Sequence, residues 1–425
     1  MRFAGTCMAD ADVCILSLNY PPEPTGIATY TGALAAGLVQ AGHSVVAHVA
    51  HPHYPEWKIY DGYGKWHKTE QLAGVTVERR LHYVPQPPRG VRRLISELTF
   101  GARVALSPWN SPRVVIALSP PLFATAVAAL RIRLTPRRPR LIIWVQDVYS
   151  LGLAETGEGG QLVQQITRWV EKMTLRAADR VVVIHGRFSD VATDALGVDP
   201  QKISIVRNWT HLQPSSPLGE RAAKEALGWP TDSTLAVHTG NMGTKQGLEN
   251  IVDAARLAEE IGAPIRFVLV GEGGERRRLE QYATGVERIT FVDPLSDEDF
   301  RLALAAADVL LVNEKPGVSG MALPSKLTSY FDAGRPVVAA TDPDGITASE
   351  VAAADAGIVV RAGDPGALLD AILSLREDKS AALRYAANGK RYREDVLGEE
   401  EAIKLWGDVI KRVTTNEPWD LTHRR

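Results

Sequence analysis

Cysteine is nearly absent from this chain: Cys7 and Cys14 are the only two among 425 residues. That scarcity excludes a disulfide-built scaffold and fits a reducing compartment. Two thiols without clustered histidines do not make a metal site. An excess of one charge is missing too. Lys and Arg number 48 against 50 Asp and Glu, and the pI is about 6.6, so no global basic field points to nucleic acid. No apolar run reaches the ~18 residues that span a bilayer; the longest candidate, Leu122 to Leu130, ends in arginines. Met1 to Asp10 lack a long apolar core and carry an early acid, which does not read as a secretory signal. The expectation is a cytoplasmic protein, at most seated on the inner face of the plasma membrane. What is present is an ordinary globular balance, 45% hydrophobic and 23% charged, at a length fit for two or three domains.

Short apolar runs alternate with helical spacing. Val13 to Leu18, Ser44 to Val49, Val114 to Leu118, Leu141 to Val145, Arg180 to Ile184 and Ile203 to Val206 read as buried parallel strands. His211 to Glu220, rich in Pro and Ser, reads as a linker. A second series follows: Leu235 to His238, Arg266 to Val270, Ile289 to Val292, Val309 to Val312, Pro336 to Ala340 and Ile358 to Val360. The pattern predicts an α/β chain of two Rossmann-like domains, with parallel sheets facing across a cleft. Ligands in such folds bind at the carboxyl ends of the strands.

The densest signal is His238 to Asn250, where Gly240, Gly243 and Gly247 join a strand to a helical pattern. Glycines let backbone approach a ligand closely, helix-start amides favour an anion, and Lys245 adds charge. A phosphate-bearing ligand suits such a loop. The bland reading is a tight turn. Gly271-Glu272-Gly273-Gly274-Glu275-Arg276 fails the dinucleotide fingerprint at Arg276. Arg89, Arg92, Arg93 and Arg103 among Val91, Leu94, Ile95, Leu98 and Phe100 fit either a basic amphipathic helix on an anionic membrane or solvated surface charge. Arg131, Arg133, Arg137, Arg138 and Arg140 form a second basic cluster.

Seven motifs occur in order: Asn19-Tyr20-Pro21-Pro22-Glu23-Pro24-Thr25-Gly26, His51-Pro52-His53-Tyr54-Pro55-Glu56-Trp57, Val145-Gln146-Asp147, Arg207-Asn208-Trp209, Gly240 to Glu249, Val270-Gly271-Glu272-Gly273, and Pro324-Ser325-Lys326-Leu327 with Gly334-Arg335-Pro336-Val337-Val338. Together they span nearly the whole chain. They resemble family-4 retaining glycosyltransferases of the GT-B fold, in the bacterial exopolysaccharide branch that includes the fucosyltransferase-like enzyme of colanic acid synthesis. The resemblance implies residues 1–212 as acceptor domain, 213–395 as nucleotide-sugar donor domain, and 396–425 as a helical tail packing back on the first. It implies transfer from a GDP- or UDP-sugar to a hydroxyl of a glycan or lipid-linked acceptor. The anomeric configuration would be kept, without cofactor or metal.

The same resemblance assigns Asp147 and Lys245 to catalysis. Donor contacts would come from Gly26, Gly240, Asn241, Gly243, Lys245, Gly271, Gly320, Ser325, Lys326, Ser329 and Glu350. Acceptor contacts would come from Glu23, His51, His53, Tyr54, Glu56, Trp57, Gln146 and His185. From the charge pattern itself, Arg89, Arg92 and Arg93 are the residues expected to meet an anionic membrane if that segment is a basic amphipathic helix. Three departures stand out. Asn241 replaces the family's arginine and Lys245 sits one place early. The Glu-x7-Glu pair falls on Met321 and Ser329, with Glu314 and Glu350 as nearby acids. Gln146 stands where many relatives have His. For Asp147 the bland alternative is a helix cap. Two further readings fit the chain: a GT-B nucleotide-sugar epimerase, and a non-catalytic subunit that binds a glycan or nucleotide sugar.

Overall fold

The computed structural model describes residues 12–24, 26–136, 138–156, 160–209, 219–317 and 326–415. The chain divides into two compact units, Met1–His211 with Glu399–Arg425, and Leu212–Gly398.

The sheet of the first unit holds β1 (Val13–Ser17), β2 (Val45–Ala50), β3 (His67–Leu72), β4 (Val75–Arg80), β5 (Val114–Ser119), β6 (Arg140–Val145), β7 (Arg180–Val183) and β8 (Ile203–Ile205), in the order β3-β4-β2-β1-β5-β6-β7-β8. All neighbours run parallel except β3 and β4. The central strands are buried along their length, which is why they appear as unbroken apolar runs.

The β3–β4 hairpin was not anticipated from the sequence. β3 is an edge strand whose residues alternate between exposed and half-buried, and it carries too little apolar signal to be noticed. Its turn does leave a trace: Ala73 and Gly74 both have positive φ, at 49° and 79°. From β4, the buried Arg79 pairs with Glu70 and donates to the Pro21 and Ala50 carbonyls, tying two strand-end loops together.

Strand order reverses direction at β1, so right-handed crossovers put helix Ile27–Gln40 on one face of this sheet. Helices Gly90–Ala105, Leu122–Leu134 and Gly160–Ala177 lie on the other. Helix Glu399–Thr415 packs on Ile27–Gln40. Its Trp406 meets Trp144 edge-on at 5.1 Å, and Trp144 stacks with Trp209 at 6.4 Å. All three indoles are fully buried.

The second unit has β9 (Thr234–Thr239), β10 (Ile265–Val270), β11 (Ile289–Val292), β12 (Val309–Asn313), β13 (Val337–Thr341) and β14 (Gly357–Arg361), all parallel, in the order β11-β10-β9-β12-β13-β14. Alternate residues feed separate cores on the two faces, Ala236, Phe267 and Leu311 on one, Val237, Val268 and Leu310 on the other. Among the described residues no helix is long and apolar enough to cross a membrane.

Candidate functional site

Each unit gathers its candidate residues at the carboxyl ends of its strands. In the first unit, the loop after β1 ends at Gly26, with φ 68° and ψ −145°. Only glycine adopts that conformation readily. The helix it opens has no capping side chain and no acid in its first turn, so its leading amides suit an anion. Gly26, Asn19, Tyr54, Trp57, Arg93 and Glu97 border a cavity of about 330 Å³.

Glu97 was missed in the sequence, although it is the lone acid in an arginine-rich segment. It is buried and accepts from the Phe123 amide at 3.0 Å and the Tyr149 hydroxyl at 3.2 Å. Burial raises its pKa above the usual carboxylate range, against the opposing pull of these bonds and of Arg93. Arg93 lies 3.6 Å from it, over the Tyr149 ring. Arg93 therefore borders the cavity, with its side chain still partly exposed. Arg89 and Arg92 are exposed, and Arg92 donates to the Gln86 carbonyl. Much of the second basic cluster is also committed to the fold. Arg131 stacks 3.7 Å over Trp109, while Arg138 and Arg140 pair with Asp179.

Several expected acceptor contacts turn inward. Glu23 is buried. It accepts from the His53 and Tyr54 amides at 2.8 and 3.0 Å and from Asn19 at 2.9 Å, stapling the loops after β1 and β2. His51 donates to the Lys65 carbonyl at 2.7 Å, and His53 to the His51 carbonyl at 2.8 Å; both rings are buried. Gln146 and Asn208 exchange a reciprocal amide pair, at 3.1 and 2.8 Å, across the end of β7. This uses the Gln146 group expected to face an acceptor. His185 is buried and accepts from the Arg187 amide at 3.1 Å, capping a short helix. Tyr54 and Glu56 are exposed, and Trp57 and Asp147 are half-buried.

In the second unit, the loops after β9 and β10 press together. A Cβ on Gly271 would stand 2.2 Å from the Gly240 carbonyl, and one on Gly273 would stand 2.4 Å from that of Met242. These glycines are required by backbone contact. Their amides are also occupied: Gly240 donates to Val270, Gly271 to Val292, and Gly243 to the Gln246 side chain. The Gly243 amide is thus engaged within its own turn. Asn241 and Lys245 are exposed, Lys245 on the turn Thr244–Gln246.

The desolvated cation at this edge belongs to Lys326. Its Nζ donates to His238 Nε2 at 3.2 Å, while His238 Nδ1–H donates to the Leu311 carbonyl at 3.1 Å. The ammonium would lie 3.7 Å from a Cβ on Gly240. Desolvation pulls its pKa from 10.5 down to about 8, against the raising influence of Glu314. Glu314 in turn accepts from Thr341 and Thr347. Ser329 is half-buried on the helix that Lys326 opens, Lys326–Asp332. Glu350 is fully buried and accepts from the Tyr392 hydroxyl at 3.1 Å, so it is not available to a donor sugar as expected. Gly320 and Ser325 lie outside the described residues.

Residues 25–209 match the model of the glycosyl transferase 4-like domain, and residues 233–378 that of glycosyl transferases group 1. The chain is 31% identical over 338 residues to a colanic acid biosynthesis glycosyl transferase, WcaI, of Escherichia coli, covering 76% of this chain and 81% of the relative. The chain belongs to the group 1 glycosyltransferases. This glycosyltransferase is also 26% identical to a phosphatidyl-myo-inositol mannosyltransferase of Mycobacterium leprae, over 62% of its own length and 70% of the relative's. Its fold is GT-B. Sucrose-phosphate synthase from Thermosynechococcus elongatus superposes with TM-score 0.72 at 19% identity, over 95% of this chain and 99% of that one. Anabaena Alr3699/HepE, solved with UDP, gives 0.70 at 17% identity, over 94% and 99%.

Proposed function

We propose that this glycosyltransferase moves a sugar from a GDP- or UDP-linked donor to a hydroxyl of a glycan or lipid-linked acceptor, in polysaccharide biosynthesis. The transfer keeps the anomeric configuration and needs no metal. The observation that carries the reading is the desolvated Lys326 ammonium beside Gly240 and His238, at the strand-end edge where α/β folds hold ligands. The relatives lend support, since HepE was solved with UDP and with UDP-glucose, and the Escherichia coli relative is named for colanic acid biosynthesis.

As the sugar–oxygen bond breaks, negative charge grows on the departing diphosphate. The Lys326 ammonium offsets that charge in a water-poor setting, where a fixed donor is worth several kcal/mol, roughly 3. Within the first unit, the uncapped leading amides of helix Ile27–Gln40, opened by Gly26, suit an anionic group of a ligand. Lys245 contributes from its exposed turn, and Ser329 reaches the nucleotide. A donor phosphate oxygen takes the acceptor proton on the face the leaving group vacates, so no enzymic nucleophile is used. Asp147 orients the acceptor hydroxyl, and Tyr54 and Trp57 offer ring faces to its sugar.

A thermal-shift series with UDP, GDP and their sugars tests the donor assignment, because ligand held by the folded state raises the melting temperature. Transfer assays with and without EDTA, followed by NMR of the product's anomeric proton, test the rest. A flat thermal response to every nucleotide, an inverted product, or loss of activity in EDTA would overturn the corresponding part.

A further inference from the structure

We propose that the outer face of helix Gly160–Ala177, with the two helices beside it, rests on an anionic lipid bilayer. Leu162, Ile166, Trp169 and Met173 recur at helical spacing and, with Val163, are all exposed; Leu162 is 69% and Trp169 64% accessible. Thr167, Glu171, Thr174 and Leu175 form the buried side. Helix Leu122–Leu134 packs between this helix and Gly90–Ala105, and adds exposed Leu130 and Leu134. Helix Gly90–Ala105 adds exposed Val91, Ile95 and Leu98. Exposed large apolar side chains therefore recur on all three helices of this layer.

Charge selects the occupant. Arg92, Arg133, Arg168 and Arg176 are exposed on these three helices, with Arg168 also donating to the Ala195 carbonyl at 3.2 Å. The three helices hold two acids, Glu97 and Glu171, and both are buried. Glu171 spends its carboxylate on the Tyr149 and Ser150 amides. A face that is apolar and exclusively cationic matches anionic headgroups over acyl chains. A second copy of this face would bring no exposed acid to pair with these arginines. Exposed Trp169 is the residue type favoured at the membrane interface.

The experiment is sedimentation of the full chain with vesicles of pure phosphatidylcholine, and of phosphatidylcholine with one part in three phosphatidylglycerol. It reads partitioning without any donor or acceptor, so its failure is separate from failure of the proposed transfer chemistry. Wild type is expected to partition onto the anionic vesicles. Arg168→Gln with Arg176→Gln lowers that partitioning roughly 25-fold, at about fivefold per basic residue. Ile166→Ser with Trp169→Ser and Met173→Ser brings it below about a tenth of wild type. Leu383→Ser, at an exposed position in the second unit, leaves it unchanged. Circular dichroism checks that each variant is folded. The proposal is overturned if wild type ignores anionic vesicles, or if the triple variant binds them as wild type does. It is equally overturned if light scattering finds a dimer that the triple variant dissolves, since a second copy would then cover the face.

Discussion

The two sheets present their strand ends differently. In the first unit the polar side chains at that edge largely satisfy one another: Glu23 holds two amides, Gln146 holds Asn208, and His185 caps a helix. In the second unit the Gly240, Gly243 and Gly271 amides are engaged within the loops, and the edge keeps an ammonium in a poorly solvated place beside a neutral histidine. The first arrangement builds stiff walls. The second keeps a charge at an electrostatic cost, which a ligand of opposite charge relieves. A cluster of polar residues in loop motifs is therefore weak evidence of ligand contact when the same residues can pair internally.

The sharpest test of this contrast sets Lys326 against Lys245. Lys326→Met is expected to lower kcat/KM about 100-fold or more, the effect of removing one well-placed donor of about 3 kcal/mol, without lowering the thermal unfolding midpoint, since the ligand-free fold is relieved of a desolvated charge. Lys245→Met, on the exposed turn, should cost less than about tenfold. Reversed magnitudes in steady-state kinetics would return the main charge to Lys245. The same lysine sets a pH limb. Its folded pKa of about 8 lies below the ordinary 10.5, so transfer falls as pH rises past about 8 and the ammonium is lost. Over the interval up to 10.5 the unfolded chain binds the extra proton, so the ligand-free protein gains stability as pH rises. Both trends should vanish in Lys326→Met.

In the first unit, Gly26→Ala forces a side chain into its φ 68° backbone. It should cost about 1–3 kcal/mol in urea unfolding and weaken donor binding together. Gln146→Leu orphans the Asn208 amide and is expected to cost about 2 kcal/mol of stability. Gln146→Leu with Asn208→Leu should recover part of that loss. If Gln146 instead contacts acceptor, KM for acceptor would rise with no change in unfolding. A last test concerns His82, which burial and its histidine neighbours hold at about 3, against an ordinary 6.5. As pH falls below 6.5 the unfolded state takes up a proton the folded state refuses, so stability declines toward pH 3. His82→Phe should flatten that decline in pH-dependent urea melts.

The legibility of this chain follows from what each residue type can signal alone. Central strands were readable because burial on both faces demands continuous apolar runs. The edge hairpin around Ala73 and Gly74 was not, because a half-solvated strand tolerates His, Lys and Glu. The glycine loops were readable as places of close approach; that Gly271 and Gly273 face the backbone of the neighbouring loop was not. Lys326 was named as one donor contact among many. Nothing local distinguishes it from a surface lysine, since its desolvation comes from Gly240 and His238 on another strand. Glu97 escaped notice for the same reason, because its burial and its Phe123 and Tyr149 partners come from distant segments.

Sequence alone determined the alternation of strands and helices, the doubling of that pattern, the ordered motifs that place the chain in its family, and the glycines that specific backbone conformations require. These are local properties, written in periodicity and residue type. Tertiary structure alone decided which polar groups pair with each other, which ammonium loses its water, and which apolar helix face remains uncovered. Those outcomes depend on contacts between residues far apart in the chain, and the energy of a charge or a hydrogen bond is set by the surroundings that folding brings to it.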